Sequence, residues 1–307
     1  MFLLIRHVLT GAQFSAEQQV ELFQTAEKLR RQDRSGLVSK VLKPKNVLLL
    51  FGEPSTRTRL SFEITLKKLG GDPFVIEEIE KRLSLVKDES WEDTIRTLTA
   101  LGFEILVIRH RQNGLPLFLA QISDQYELGV SIINAGDGNN EHPTQALLDV
   151  YTVWRERREE LESGRLTVAY LGDIKDSRVA HSGIPAFSAF SARVITPSSC
   201  LEAANQIDVW NFLRFQSERK DTVDMEESRR DYYERFSLTE EVRKRAKTNA
   251  LFLHSRPRGP ELPPEADSDP RQRYIINFKA ADPWQNQETN GLYLRMALLT
   301  KMPSRKT

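Results

Sequence analysis

The chain has 307 residues, and its 44 lysines and arginines against 43 aspartates and glutamates give a formal charge of +1. This length predicts two domains or one large one and is enough to bury a core without disulfide or metal staples. The 39% hydrophobic and 28% charged content excludes a disordered chain, and the near-zero balance argues against a dedicated nucleic-acid binder.

Met1 to Ile5 is an apolar run too short for a signal peptide. No uncharged apolar run approaches the ~20 residues of a membrane helix, so a soluble, cytoplasmic protein with no membrane partner is expected. Ser15 with Gln18 reads as a capping box, followed by the helical set Val20, Leu22, Phe23, Ala26 and Leu29. Asn46 to Phe51 is a continuous apolar run, the pattern of a strand buried on both faces. Gly52-Glu53-Pro54 punctuates it, and Ser55 opens a helix over Thr56 to Leu69. The alternation continues with a strand at Asp72 to Ile76, a helix capped by Ser90 and Asp93 to Leu101, and a strand at Glu104 to Ile108. A helix at Leu115 to Tyr126 and a strand at Val130 to Asn134 follow. Strands alternating with helices predict parallel βαβ units, which bind ligands at the carboxyl ends of their strands.

One long helix is expected from about His142 to Leu161, ending at Gly164. Leu166 to Leu171, Ala192 to Ile195 and Asp208 to Leu213 read as strands. Cys200 is the only cysteine, which excludes an intrachain disulfide and a multi-cysteine metal site and fits a reducing compartment. Arg219 to Lys247 is charged and helix-rich, Leu251 to Leu253 a short apolar run, Pro257 to Pro270 a loop, and Gly291 to Leu299 a closing helix. A domain junction is placed near residue 141.

Several patterns point to anions at strand ends. Ser55-Thr56-Arg57-Thr58 lies where a strand feeds a helix, where free N–H groups, the helix dipole, three hydroxyls and a guanidinium all favour phosphate. Taken alone it also fits a plain helix cap with a surface arginine. Arg109 and His110 follow another strand, with an ordinary strand-end arginine as the alternative. Gly136-Asp137-Gly138 shapes a turn before Glu141-His142-Pro143-Thr144-Gln145, where His142 and Gln145 stand at i, i+3 and supply donors and an acceptor; a capped helix with a satisfied histidine is the alternative. No second histidine or cysteine lies at metal-ligand spacing. Ser84 to Ser90 is a polar loop whose Lys87 reaches for a phosphate or merely faces solvent. Arg178, and Arg214 with Gln216, stand after further strands as anion ligands or as surface groups. No Gly-x-Gly-x-x-Gly, Walker loop, nucleophile elbow or Cys/His dyad is present. The set therefore points to an enzyme that positions anions and polarises a carbonyl, without a covalent nucleophile, metal or cofactor.

Phe51 to Glu63 (FGEPSTRTRLSFE) resembles the carbamoyl-phosphate signature of the aspartate and ornithine transcarbamoylases. Asn134-Ala135-Gly136-Asp137-Gly138, then Glu141 to Asp149 (EHPTQALLD), is similar to their second signature. The resemblance runs from about Leu9 to Ala297. Arg214-x-Gln216-x-x-Arg219 resembles the aspartate-binding motif of the aspartate branch. The Ser-Met-Gly loop and His-Cys-Leu-Pro stretch of the ornithine branch are not present; the latter position reads His254-Ser255-Arg256-Pro257.

The resemblance implies an α/β fold of two doubly wound domains, each a parallel sheet flanked by helices, with the active site in the cleft between them. Residues 1–141 would bind carbamoyl phosphate, with a C-terminal helix over 288–307 packing back on them, and 142–287 would bind aspartate. It implies carbamoyl transfer to L-aspartate. Ser55, Thr56, Arg57 and Thr58 would hold the phosphate. Thr58, Arg109 and His142 would donate to the carbonyl oxygen. Gln145 and the backbone carbonyls of Arg256 and Pro257, joined by a cis bond, would hold the carbamoyl amine. Arg178, Arg214 and Gln216 would bind aspartate with Lys87, and Ser84 and Lys87 would come from a neighbouring subunit of a homotrimer, within a possible larger assembly with a regulatory chain or dihydroorotase.

Three departures from the family pattern stand out. The stretch Pro197 to Val209 is markedly short, Asp88 replaces the glycine after the loop lysine, and Ser255 and Arg256 replace apolar residues. Two rivals remain at this level: transfer to another amine such as ornithine, which Arg214 argues against, and a non-catalytic homologue held in an assembly, which the short stretch keeps open.

Overall fold

The computed structural model describes residues 3–37, 42, 45–79, 89–216, 225–263, 273–274 and 287–303. In chain order the first elements are α1 (Ala16–Arg34), β1 (Asn46–Phe51), α2 (Thr56–Lys68), β2 (Asp72–Glu77), α3 (Trp91–Ala100), β3 (Phe103–His110), α4 (Leu115–Gln125) and β4 (Ser131–Asp137). They are followed by α5 (Pro143–Glu156), α6 (Arg158–Glu162), β5 (Thr167–Leu171), α7 (Arg178–Ser188), β6 (Arg193–Ile195) and β7 (Val209–Phe212). The chain continues with α8 (Met225–Phe236), α9 (Glu240–Arg245), β8 (Leu251–His254), β9 (Arg273–Tyr274) and α10 (Gln287–Thr300). The chain divides into two compact units, residues 1–144 with 291–307, and residues 145–290.

The first unit is built on a four-stranded sheet in the order β2-β1-β3-β4, parallel throughout. The continuous apolar runs become its central strands: Val47 to Phe51 and Ile105 to Ile108 are buried on both faces, because helices cover a parallel sheet on either side. Ser15 and Gln18 form the expected reciprocal cap, with the Gln18 N–H donating to Ser15 Oγ and the Ser15 N–H to Gln18 Oε1. Beyond the last strand, Val8 extends the ladder: its N–H donates to the Ile132 carbonyl, and its carbonyl accepts the Asn134 N–H. The final turns of α10 belong to this unit. Tyr293 donates to Asp33, which also pairs with Lys68, and Lys301 pairs with Glu21.

The second unit carries a five-stranded parallel sheet in the order β6-β5-β7-β8-β9. Its core is a stack of cross-strand aromatics. Trp210 lies opposite Phe252 with ring centroids 5.4 Å apart, and Phe212 stacks on both. Such pairs add to the burial of large rings.

The expected single helix over 142–161 is two helices here. The chain breaks at Arg157, whose backbone is non-helical (φ −143°, ψ 51°) and whose guanidinium reaches Asp208 at 3.3 Å and Glu160 at 3.1 Å. Asp208 also accepts the Thr167 N–H and the Lys247 ammonium, so a buried carboxylate 51 residues away draws Arg157 out of the helical path. The short link before β7 holds turns only, yet it is not loose. Cys200, Ala203, Ala204 and Ile207 pack into the core with Trp210 and Phe236.

Candidate active site

In the first unit, the signature residues stand where β1, β3 and β4 end. β1 feeds α2 through Gly52-Glu53-Pro54. Ser55 takes the N-cap position, but its side chain makes no capping bond, so its hydroxyl is not spent on the helix end. This weighs against a plain helix cap and suits an anion at the positive end of the dipole. Thr56 and Arg57 are exposed and Thr58 is buried.

Arg109 pairs with Phe51 across the β1–β3 ladder. Its Nη1 donates to the Ala135 carbonyl at 3.3 Å, and its Nε lies 3.5 Å from the Glu53 carboxylate. The guanidinium is thus held from both neighbouring strand ends. His110, its sequence neighbour, is a packing residue. Its Nδ1 accepts the Gln112 N–H, its ring meets Trp91 edge to face at 5.7 Å, and a Cβ at Gly52 would come within 2.7 Å of it.

His142 is 5% exposed, with Thr144 Oγ1 at 3.5 Å from its Nδ1. The loop that delivers it hangs on Asp137, itself 1% exposed. One carboxylate oxygen accepts from Asn134 Nδ2 (2.8 Å) and the Glu141 N–H (3.0 Å). The other accepts from the Gly114 N–H (2.6 Å) and Asn140 Nδ2 (2.9 Å). Gly138 is required in the same turn: its φ is +47°, and a Cβ there would lie 1.9 Å from Asn113 Oδ1.

In the second unit, three successive strand ends carry the remaining candidates. Arg178 opens α7 after β5, with Ser177 capping through the Ala180 N–H. Arg214 and Gln216 follow β7, and Gln216 Nε2 donates to the Asp176 carbonyl at 2.9 Å, drawing the ends of β5 and β7 together. After β8, His254 Nε2 meets Glu261 at 2.8 Å, both fully buried, and His254 Nδ1 accepts the Arg256 N–H. Burial outweighs the Glu261 carboxylate and lowers the His254 pKa, so the ring is neutral with its tautomer fixed by these two partners. The Arg256–Pro257 bond is cis and Arg256 has φ +60°. Arg256 forms an ion pair with Glu288, which supplies the charge partner that an apolar residue would not need. On α5, Gln145 Nε2 donates to Asp149 at 2.9 Å.

A family model described as the carbamoyl-P binding domain of aspartate/ornithine carbamoyltransferase matches residues 6–155. The aspartate carbamoyltransferase catalytic subunit of Syntrophomonas wolfei is 39% identical over 282 residues, 85% of this chain and 83% of that one. The catalytic subunit from Heliobacterium modesticaldum is 38% identical over 317 residues, covering 96% and 95%. The chain belongs to the aspartate carbamoyltransferase family. In structure, it superposes on the aspartate transcarbamoylase of Trypanosoma cruzi in complex with N-(phosphonacetyl)-L-aspartic acid with a TM-score of 0.81, at 25% identity over 97% of this chain and 96% of that one.

In this aspartate carbamoyltransferase, the sequence reading named candidate groups at the strand ends and did not name the residues that hold them. Glu53, Asp137, Asp149, Glu261 and Gln287 all hold candidate groups or their loops through hydrogen bonds or ion pairs. Asp137 and Asp149 lie inside the signature runs, and Glu53 stands two residues past a buried strand; an acid at such places is a signal that could have found them. Ser84, Lys87 and Asp88 lie outside the described residues. Among the described residues, no helix is long and apolar enough to cross a membrane, and no cluster of metal-binding side chains is present.

Proposed function

We propose that the chain is an aspartate carbamoyltransferase, transferring the carbamoyl group of carbamoyl phosphate to the amine of L-aspartate to give N-carbamoyl-L-aspartate and phosphate, a step of pyrimidine biosynthesis. The observation that carries the reading is Arg109, fixed by Glu53 and Ala135 at the end of β3, next to an α2 start whose N-cap hydroxyl is not used for capping.

In this proposal Ser55, Thr56, Arg57 and Thr58 bind the phosphate. Thr58, Arg109 and His142 donate to the carbamoyl oxygen as it becomes negative; one such donor is worth about 2.7–4 kcal/mol of transition-state stabilisation. Gln145 and the carbonyls of Arg256 and Pro257 take the carbamoyl amine. Arg178 and Arg214 hold the carboxylates of aspartate, and Gln216 keeps a second amide hydrogen for them beyond the one given to Asp176. The aspartate amine attacks the carbamoyl carbon, phosphate leaves, and the departing phosphate accepts the amine proton. No protein nucleophile, metal or cofactor takes part.

Ser84 and Lys87 acting from a neighbouring subunit of a homotrimer belong to the same proposal. Exposed apolar groups on α2 (Leu60, Ile64) and on the edge strand β2 (Phe74, Val75) support association of copies, since edge strands left open invite pairing. A regulatory chain or dihydroorotase partner in a larger assembly is a further part of it. A cytoplasmic location rests on the composition, with one cysteine in 307 residues.

The test is to supply carbamoyl phosphate to the purified chain with aspartate or ornithine as acceptor. Carbamoyl aspartate is the expected product. None at saturating substrates refutes the reading, and a preference for ornithine refutes the assignment of Arg214. Mixing two inactive chains, Arg109→Ala and Lys87→Ala, is expected to restore activity in hybrid trimers; proven mixing without recovery refutes the shared site.

A further inference from the structure

Asp149 is 1% exposed, and two amides meet on its Oδ1. One is Nε2 of Gln145, one turn earlier on α5, at 2.9 Å. The other is Nε2 of Gln287, the first residue of α10. The oxygen of Gln287 accepts the backbone N–H of His254, the last residue of β8, at 3.3 Å. Asn290 Nδ2 donates to Thr152 Oγ1 at 3.0 Å, and Arg155 donates to the Asn290 side-chain oxygen, so the same stretch of α10 is tied to α5 over two further turns.

These bonds set one another's polarity. A backbone N–H only donates, so Gln287 turns its oxygen to His254 and its nitrogen to Asp149. A carboxylate accepts, so Gln145 also turns its nitrogen to Asp149. The oxygen of Gln145, an acceptor, is therefore turned away from Asp149, with one amide hydrogen left beside it. Without Asp149, an amide has two orientations of nearly equal shape, and the flipped one would set its own N–H groups against a substrate amine.

We propose that Asp149, anchored by Gln287, is a specificity-determining positioning residue that turns the Gln145 amide so its oxygen accepts an N–H of the carbamoyl group, selecting carbamoyl phosphate over acyl phosphates with a methyl at that place. This rests on the assignment of Gln145 to the carbamoyl amine. Asp149 touches no reacting atom; it acts through Gln145.

Calorimetric titration of the full chain with carbamoyl phosphate and with acetyl phosphate tests it, because the two differ only in amine against methyl. Asp149→Ala is expected to weaken carbamoyl phosphate about tenfold, the size of one hydrogen bond, and to leave acetyl phosphate within about twofold. Gln145→Leu should do the same, and the double variant should be no worse than Gln145→Leu alone, because one residue works through the other. Equal weakening of both phosphates by Asp149→Ala, or effects that multiply in the double variant, overturns the proposal. Where Asp149→Ala gives no folded protein, Gln287→Leu decides: the carbamoyl-to-acetyl ratio falls about threefold if the anchor matters, and an unchanged ratio overturns it. A wild-type chain that binds acetyl phosphate but does not prefer carbamoyl phosphate refutes the role of Gln145, and this proposal with it. One that binds neither refutes the proposed function as a whole.

Discussion

Replacing Asp137 with asparagine keeps its shape and removes one of its two acceptor oxygens. Each oxygen now receives two N–H groups, Asn134 with Glu141 on one side and Gly114 with Asn140 on the other. In the variant, two of these four donors face an NH2 group. A lost hydrogen bond to a charged group costs roughly 1.5–3 kcal/mol. Whichever side the new nitrogen takes, one of the stranded donors is a backbone N–H. If it replaces the oxygen facing Gly114 and Asn140, the amide of exposed Asn140 can turn to water, so the expected loss is about 2–4 kcal/mol. That is a large share of the ~5–15 kcal/mol that holds a domain together. The same loop carries His142 five residues on, so kcat should fall about 10²–10³-fold, the effect of displacing one oxyanion donor. Urea unfolding followed by tryptophan fluorescence reads the first quantity, and steady-state carbamoyl aspartate formation reads the second. An Asp137→Asn chain with an unchanged midpoint and kcat within twofold of wild type would refute both the hydrogen-bond accounting and the placement of His142.

Glu53→Gln should release one side of the Arg109 guanidinium and lower kcat about tenfold, less than Arg109→Ala, and the double variant should match Arg109→Ala alone; additive losses would mean Glu53 acts elsewhere. Burial lowers the pKa of both His7 and His254, so each binds its proton more readily when unfolded. Stability contributed by the neutral rings is present above the unfolded value of about 6.5 and lost as pH falls below it, at up to ~1.4 kcal/mol per pH unit for each ring. His254→Asn should flatten that acid limb in unfolding curves, and an unchanged limb would remove His254 from it. Cys200 is buried and its thiol pKa is pushed up to about 12, so Ellman's reagent should react with it only on unfolding; prompt reaction in native buffer would contradict the packing of the link before β7.

What was legible in the sequence was local. The apolar runs at Asn46 to Phe51 and Glu104 to Ile108, the Ser15 cap and the long signature motifs each declare themselves within a few residues, and each stands where it was expected. What escaped depends on partners far along the chain. The break at Arg157 answers to Asp208, the amide of Gln145 answers to Asp149 and through it to Gln287, and Arg256 answers to Glu288. No periodicity records such pairings, because side chains 30 to 140 residues apart meet only once the sheet orders the loops between them. Ser55 shows the opposite limit: its N-cap position was legible, but that its hydroxyl leaves the cap unmade is a matter of backbone angles.

The first unit is completed by residues 291–303, including Tyr293 on Asp33 and Lys301 on Glu21. A ribosome therefore makes the whole of the second unit before it supplies the last helix of the first. At roughly 5–20 residues per second, the sheet β2-β1-β3-β4 waits on the order of ten seconds or more with the groove for α10 uncovered. During that interval Phe62, Arg30 and Asp33 have no Arg295 or Tyr293 against them. The unit that carries Arg109 and His142 thus reaches its final form only after all of the second unit has been made, which ties the maturation of these groups to synthesis of a later part of the chain.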